Sequence, residues 1–233
     1  MIAVLLAAGR GRRLGNDRPK ALLEFGGRTL LDRHLENLAG IQGGIETVVV
    51  TGFRAELLDG VPRAIANPHY ERGSVISLAV ALDALADRGE DLLLMDADVL
   101  YAPGILRDVI ALDRGFAIDT RVAPGGEEMI AGVRDGRVRA LRRGRLDGFD
   151  LTGETVGFTK LDAASLPVLR AIVATVAAAD AESDYEQALD RFVGEYGADY
   201  VLVGERPWTE IDFPEDVERA EREVLPRLDA AGS

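Results

Sequence analysis

The apolar run Ile2-Ala3-Val4-Leu5-Leu6 passes without a break into Ala7-Ala8-Gly9-Arg10-Gly11-Arg12-Arg13-Leu14-Gly15, with Arg18-Pro19-Lys20 close behind. A run this apolar at the head of the chain reads as a buried strand, which places the glycines and the cations at its carboxyl end. Such a loop suits a polyphosphate. Glycine lets the backbone approach phosphate oxygens, successive N–H groups converge on them, and arginine and lysine neutralise their charge. Gly9, Gly11 and Gly15 lack the dinucleotide-binding spacing, and no Gly-Lys-Ser/Thr follows to make a P-loop.

Beyond the loop, strands and helices alternate. This predicts an α/β fold: a Rossmann-like, mostly parallel sheet with helices on both faces and a small antiparallel lid region. Further strands are expected from Thr47 to Thr51, Arg63 to Ala66, Asp91 to Met95 and Tyr200 to Val203. Helices are expected from Leu30 to Leu38, Ser74 to Ala86, Ala102 to Leu112 and Ala163 to Ala179. Two more should run from Asp184 to Glu195, capped by Ser183, and from Pro214 to Leu225, led by Asp212 and stopped by Pro226. From Gly115 to Leu161 the segments shorten. Turns at Pro124-Gly125-Gly126, Arg134-Asp135-Gly136 and Asp147-Gly148 suggest antiparallel strands or a lid beside the main sheet.

With 233 residues the chain is long enough for one well-buried domain, with residues 115–161 as an insertion in it. A net charge of −13 argues against a nucleic-acid partner and makes the basic loop stand out. There are no cysteines, which excludes disulfides and thiolate metal sites. No segment reaches the roughly 18 apolar residues of a membrane span, and the first residues read as a core strand rather than a signal peptide. The expectation is a cytoplasmic protein without membrane insertion; a homodimer is left open.

Ligands in such sheets bind outside the carboxyl ends of strands, near the point where strand order reverses. The Arg13 loop, Gly52-Phe53, Asn67 and Asp96/Asp98 all follow predicted strands, so all can reach one crevice. An acid at the end of an apolar strand, such as Asp98, is either a helix cap or a metal ligand. Mg²⁺ bridging phosphates takes one or two carboxylates and keeps several waters.

LAAGRGRRLG followed by RPKALLEFGGRTLLDRHLENL resembles the signature of nucleotidyltransferases that join an NTP to a phosphorylated small molecule. The resemblance implies that Leu6, Ala7, Ala8, Gly9, Gly11 and Arg12 hold the triphosphate. Arg13 and Lys20 would stabilise charge on the α-phosphate and the leaving pyrophosphate. LLLMDADVLY resembles the family's metal strand, which makes Asp98 a Mg²⁺ ligand and leaves Asp96 open between ligation and support. Trp208 to Asp216 resembles the E-I-D-x-P-E-D element, with Asp212 as the second ligand. The stretch from Asn67 to Leu78 resembles the N-P-x-Y…S-L loop of cytidylyltransferases, but has Gly73-Ser74 where paired asparagines are common. Gly52, Asn67, Ser74 and Ser77 are the candidates on that nucleoside side.

Leu151 to Lys160 is similar to the G-E-x-x-G-x-x-K stretch of cytidylyltransferases acting on small phosphates or phosphonates. That implies acceptor contacts from Glu154 and Lys160, unless Lys160 is only an exposed strand lysine. Glu128 lies in the expected lid and is a further candidate to face the acceptor. Tyr185, Glu186 and Trp208, with Asp184, could cage an ammonium group through acids and ring faces. The implied activity is Mg²⁺-dependent transfer of CMP from CTP to a phosphocholine- or 2-aminoethylphosphonate-like acceptor. A sugar-1-phosphate nucleotidyltransferase, a molybdopterin cytidylyltransferase and a CTP-sensing domain without turnover are the alternatives.

Overall fold

The computed structural model describes the chain except for residues 16, 59, 122–125 and 232–233, so the expected turn at Pro124-Gly125 lies outside the described residues. The chain opens with β1 (Ile2–Ala7), a strand buried on both faces. A small hairpin of β2 (Glu24–Phe25) and β3 (Arg28–Thr29) leads to α1 (Leu30–Ala39). Thr29 starts that helix with a reciprocal cap: its hydroxyl accepts from the Asp32 N–H, and Asp32 accepts from the Thr29 N–H. There follow β4 (Glu46–Thr51), β5 (Ala64–Ala66), α2 (Ser74–Ala84), β6 (Leu92–Asp96), β7 (Val99–Tyr101) and α3 (Pro103–Ile110). The middle of the chain supplies β8 (Gly115–Asp119), β9 (Met129–Arg134), β10 (Arg137–Arg143) and β11 (Leu151–Leu161). The last third holds α4 (Leu166–Ala179), α5 (Glu186–Tyr196), β12 (Asp199–Leu202), β13 (Trp208–Glu210), α6 (Pro214–Arg219) and α7 (Leu225–Ala231).

Strands β5, β4, β1 and β6 lie side by side and parallel. The chain first winds outward from β1 to β4 and β5, then returns to place β6 on the other side of β1. Strand order therefore reverses between β1 and β6, whose carboxyl ends carry the glycine-rich loop and Asp96. Apolar clusters fill both faces. Leu78, Leu82, Leu169, Val173, Leu189 and Phe192 pack on one; Leu31, Leu38, Ile105, Leu106 and Val109 pack on the other.

The segments from Gly115 to Leu161 form strands, but they belong to the main sheet instead of lying beside it. β6 needs a partner on its free edge, and β11 supplies it, antiparallel, with Phe158 opposite Met95. β11 also pairs with β8 along its other edge, through Glu154 and Thr159. Glu154 faces Ile130 of β9, and Thr159 faces Leu94 of β6, so β9 and β6 share one edge of β11 end to end. The sheet thus forks along β11, near Gly157, which has φ 76° and disrupts the β8 register. A Cβ on Gly157 would lie 2.6 Å from the Asp96 carboxylate, so only glycine lets β11 pass that close to the end of β6.

Two helix ends differ from expectation. Ser183 is buried and does not cap α5; the N–H of Tyr185, the residue just before that helix, donates instead to the hydroxyl of Ser74 on α2 (2.9 Å). Pro226 does not stop the C-terminal helix. Ala220–Val224 forms a π turn in which the Leu225 N–H reaches the Ala220 carbonyl. The wider turn makes room for a ring that would clash with the carbonyl four residues back in an α-helix.

Candidate active site

A cleft of about 360 Å³ lies outside the carboxyl ends of β1 and β6. One wall is the loop after β1. Gly11 there is left-handed, φ 61°, and a Cβ on it would lie 2.7 Å from Lys20 Cγ, so the lysine crosses directly over the glycine. Leu6, Ala7, Ala8, Gly9, Gly11, Arg12, Arg13 and Lys20 all line the cleft. Arg13 stacks on the Phe213 ring, 4.9 Å from its centroid, and approaches Asp212 at 3.6 Å.

The opposite wall is acidic. Asp98 follows β6 directly, in the turn to β7, and β13 pairs with β7, Glu210 opposite Val99, to bring Glu210 and Asp212 alongside. Carboxylate oxygens of Asp98, Glu210 and Asp212 lie within 4.8 Å of one another. Such a set of hard oxygen donors fits Mg²⁺ or Mn²⁺. Asp216 receives the N–H groups of Asp212 (3.0 Å) and Phe213 (2.8 Å), so it takes the role of helix cap and leaves the Asp212 side chain to the cleft.

Lys20 is seated in this group, donating to Asp98 Oδ2 at 2.9 Å and to Asp212 Oδ1. Burial disfavours its ammonium, but the two carboxylates outweigh burial and raise its pKa. Deeper in the cleft, burial raises the pKa of Glu210, with Asp98 and Asp212 adding to it. Burial first, and then Asp98, also raises Asp96, whose Oδ2 accepts from the Tyr185 hydroxyl at 2.7 Å. Burial pushes Glu186 up to about 7, and its Oε2 is buried without a partner. The wall is therefore a set of carboxylates with hydrogen-bonding capacity to spare.

Several expected residues lie elsewhere. Lys160 is buried at the opposite end of the sheet, bonded to Asp91 at 2.6 Å. β11 runs antiparallel to β6, so its last residues return to the amino end of that strand, away from the cleft. Trp208 donates its indole N–H to Asp119 at 2.8 Å and lines a separate cavity with Glu154, Arg121 and Arg219. It cannot form a cage with Tyr185 and Glu186, which do line the cleft. Glu154 shares the Trp208 cavity and is pushed up to about 7 by burial, then by Glu128. Glu128 accepts from the Gly126 N–H at 2.9 Å and is not among the residues lining the cleft.

Of the residues expected to meet the nucleoside, Ser74 and Ser77 line the cleft. Asn67 is buried behind them, donating to Ser77 Oγ (2.9 Å) and accepting from the His69 N–H (2.9 Å), so it braces the loop. Gly52 acts by size: a Cβ would lie 2.4 Å from Tyr70 Cβ and 2.9 Å from the Ala8 carbonyl oxygen. The cleft also contains residues not assigned from sequence: Tyr70, Arg72, Arg143 and Glu210. Glu210 had a readable signal, since residues two apart on extended backbone face the same side and Asp212 was already marked. Arg143, in the basic strand RVRALRR, had none.

The MobA-like NTP transferase domain profile matches residues 3–147. A "Bifunctional IPC transferase and DIPP synthase" of Rubrobacter xylanophilus is 33% identical over 96% of this chain and 52% of its own length, so the chain spans about half of that relative. Among solved structures, the CTP:phosphocholine cytidylyltransferase of Streptococcus pneumoniae aligns with a TM-score of 0.79 at 19% identity, covering 94% of this chain and 97% of that one. The inositol-1-phosphate CTP transferase of T. maritima aligns with a TM-score of 0.73 at 19% identity, covering 97% and 94%. These two likenesses establish the shared fold. Among the described residues no helix is long and apolar enough to cross a membrane.

Proposed function

Because the chain belongs to the MobA-like NTP transferase domain family, we propose that it transfers CMP from CTP to the phosphate of a small phosphorylated alcohol and releases pyrophosphate. One observation carries this reading: Arg13 and Lys20 of the cationic loop line one cleft together with the Asp98–Glu210–Asp212 carboxylates, Lys20 bonding two of them directly. A nucleotide triphosphate needs the first, and a divalent ion with it needs the second. The names of the relatives support cytidine as the base.

In the reaction an oxygen of the acceptor phosphate attacks the α-phosphorus in line, and the bond to the β-phosphate oxygen breaks. The nucleophile is already ionised, so no general base is required. Arg13, Lys20 and the loop N–H groups hold the triphosphate and offset charge that builds on the α-phosphoryl and the leaving pyrophosphate. Asp98 and Asp212, with Glu210, would hold Mg²⁺, which neutralises phosphoryl oxygens.

The acceptor wall favours a molecule that donates hydrogen bonds. Asp96, Glu186 and Glu210 surround a space with Tyr185 as the ring at its edge. With Trp208 bound to Asp119, this wall is poor in aromatic faces for a quaternary ammonium. A polyol phosphate of the inositol phosphate kind is the best fit, and the Rubrobacter relative's name supports it. A primary-amine acceptor such as 2-aminoethylphosphonate is the second reading, favoured by the excess of carboxylates.

Pyrophosphate release tests this, with each of the four NTPs and Mg²⁺ against inositol phosphate, phosphocholine, phosphoethanolamine, 2-aminoethylphosphonate, glycerol phosphate and sugar-1-phosphates. Turnover of CTP with inositol phosphate is the expected result. Turnover only with a sugar-1-phosphate, or nucleotide binding without turnover, overturns it in favour of a sugar-phosphate transferase or a CTP sensor.

A further inference from the structure

The relocation of Lys160 leaves the acceptor phosphate without its expected cation, on a wall made of Asp96, Asp184, Glu186 and Glu210. An acceptor carrying a phosphate against that wall meets repulsion unless a cation stands there. We propose that Arg143, working opposite Arg13, is the residue that binds the acceptor phosphate; this rests on the transferase reading of the cleft. Arg143 ends β10 and reaches into the cleft from the far arm of the fork. Its guanidinium donates to Asp184 Oδ2 at 2.9 Å and to the Glu127 carbonyl at 2.5 Å. The carboxylate of that same Glu127 accepts from Arg13 at 3.3 Å.

Two guanidiniums that line the cleft thus converge on one residue, Glu127. Glu127 offers them a carbonyl and a carboxylate, a set of oxygens resembling what a phosphate presents. Arginine suits this task because its planar fork of donors matches a phosphate bidentately. Asp184 fixes one side of the Arg143 guanidinium, so the group is aimed before the ligand arrives. Arg13 is held from below by the Phe213 ring. In the loaded enzyme the acceptor phosphate takes the place of Glu127 between the two arginines, which sets its attacking oxygen next to the triphosphate held by the loop.

The test uses the full chain loaded with Mg²⁺ and α,β-methylene-CTP, so that the triphosphate loop is already filled. Inorganic phosphate is then titrated by calorimetry. Wild type should bind it, and Arg143→Gln should weaken that binding at least about tenfold, the loss expected for a charge-assisted hydrogen bond. Arg143→Lys should recover part of the loss, and Glu127→Gln should tighten phosphate by removing the resident competitor. Affinity for the CTP analogue should stay within about twofold in both Arg143 variants, since neither change touches the triphosphate loop. In turnover, Arg143→Gln should raise the acceptor KM and leave the CTP KM unchanged. Equal phosphate affinity in wild type and Arg143→Gln, no phosphate binding by loaded wild type, or parallel loss of nucleotide and phosphate overturns the proposal. If phosphate binding depends on Arg143 while no acceptor is turned over, the transferase reading fails and the anion site stands.

Discussion

The ammonium of Lys20 lies 2.9 Å from Asp98 and also bonds Asp212, two of the carboxylates proposed to hold the divalent ion. A lysine in that place competes with a divalent ion for the same oxygens. Lys20→Met should therefore tighten Mn²⁺ binding without nucleotide by at least about tenfold, as expected for removing a unit charge at this range. The same variant should lose about 10²–10³ in kcat because the triphosphate loses its lysine. Mn²⁺ titration followed by electron paramagnetic resonance, beside pyrophosphate release, reads both effects. Unchanged or weaker Mn²⁺ binding would show that the ammonium does not compete.

Gly11 makes the crossing of Lys20 possible. Gly11→Ala adds a Cβ 2.7 Å from Lys20 Cγ on a backbone with φ 61°. The left-handed conformation alone should cost about 1–2 kcal/mol. The expected outcome is a lowered Tm together with a raised KM for CTP, measured on one preparation. A change in Tm with no change in the CTP KM would mean the lysine finds another route.

His34 offers a stability handle far from the cleft. It is fully buried against Tyr101 and Phe158, and burial lowers its pKa from 6.5 to about 3. Below about pH 6.5 the unfolded chain takes up a proton there that the folded chain refuses until about pH 3, so stability falls as pH drops through that window. Between about pH 7 and pH 5 the loss from this group is about 2 kcal/mol. Urea unfolding at both pH values should show His34→Leu losing less than wild type by that amount. Identical pH dependence in the two proteins would rule the histidine out as the source.

Glu154 works in the opposite direction. Its folded pKa of about 7 lies above the ordinary 4.5. The folded chain therefore holds a proton that the unfolded chain has lost, and stability falls as pH rises from about 4.5 to 7. Glu154→Gln should raise stability at pH 8 by about 3 kcal/mol and make little difference near pH 4. Denaturant midpoints across that range test it, and a gain of equal size at both ends would point to packing instead.

What could be read in the sequence was local. The β1 loop, Arg13, Lys20 and Asp98 sit at the ends of apolar runs, where position along the chain fixes position in the cleft. Asp212 was legible from its motif. Lys160 was misplaced because a motif does not reveal strand direction, and an antiparallel β11 sends its last residues to the wrong end of the sheet. Trp208 and Glu154 share a cavity that only the docking of β13 on β7 creates. Arg143 acquires meaning only once β9 and β10 fork away from β6, an event set by pairing between segments distant in sequence. Ser183 and Pro226 failed for a related reason: Ser74 caps α5 from another helix, and a π turn absorbs the proline.

Glu210 and Asp212 are held to Asp98 by a clip of two short strands, Trp208 opposite Tyr101 through Glu210 opposite Val99, outside the main sheet. That clip lies outside the nine-stranded sheet, so the carboxylates that the C-terminal third brings to the proposed cation site are held by a pairing of their own. In the finished protein, opening of the clip would part the carboxylates while the rest stays folded, and Mg²⁺ with nucleotide would act as the latch. Amide exchange in Trp208–Glu210 should slow on loading far more than in β1 or β4.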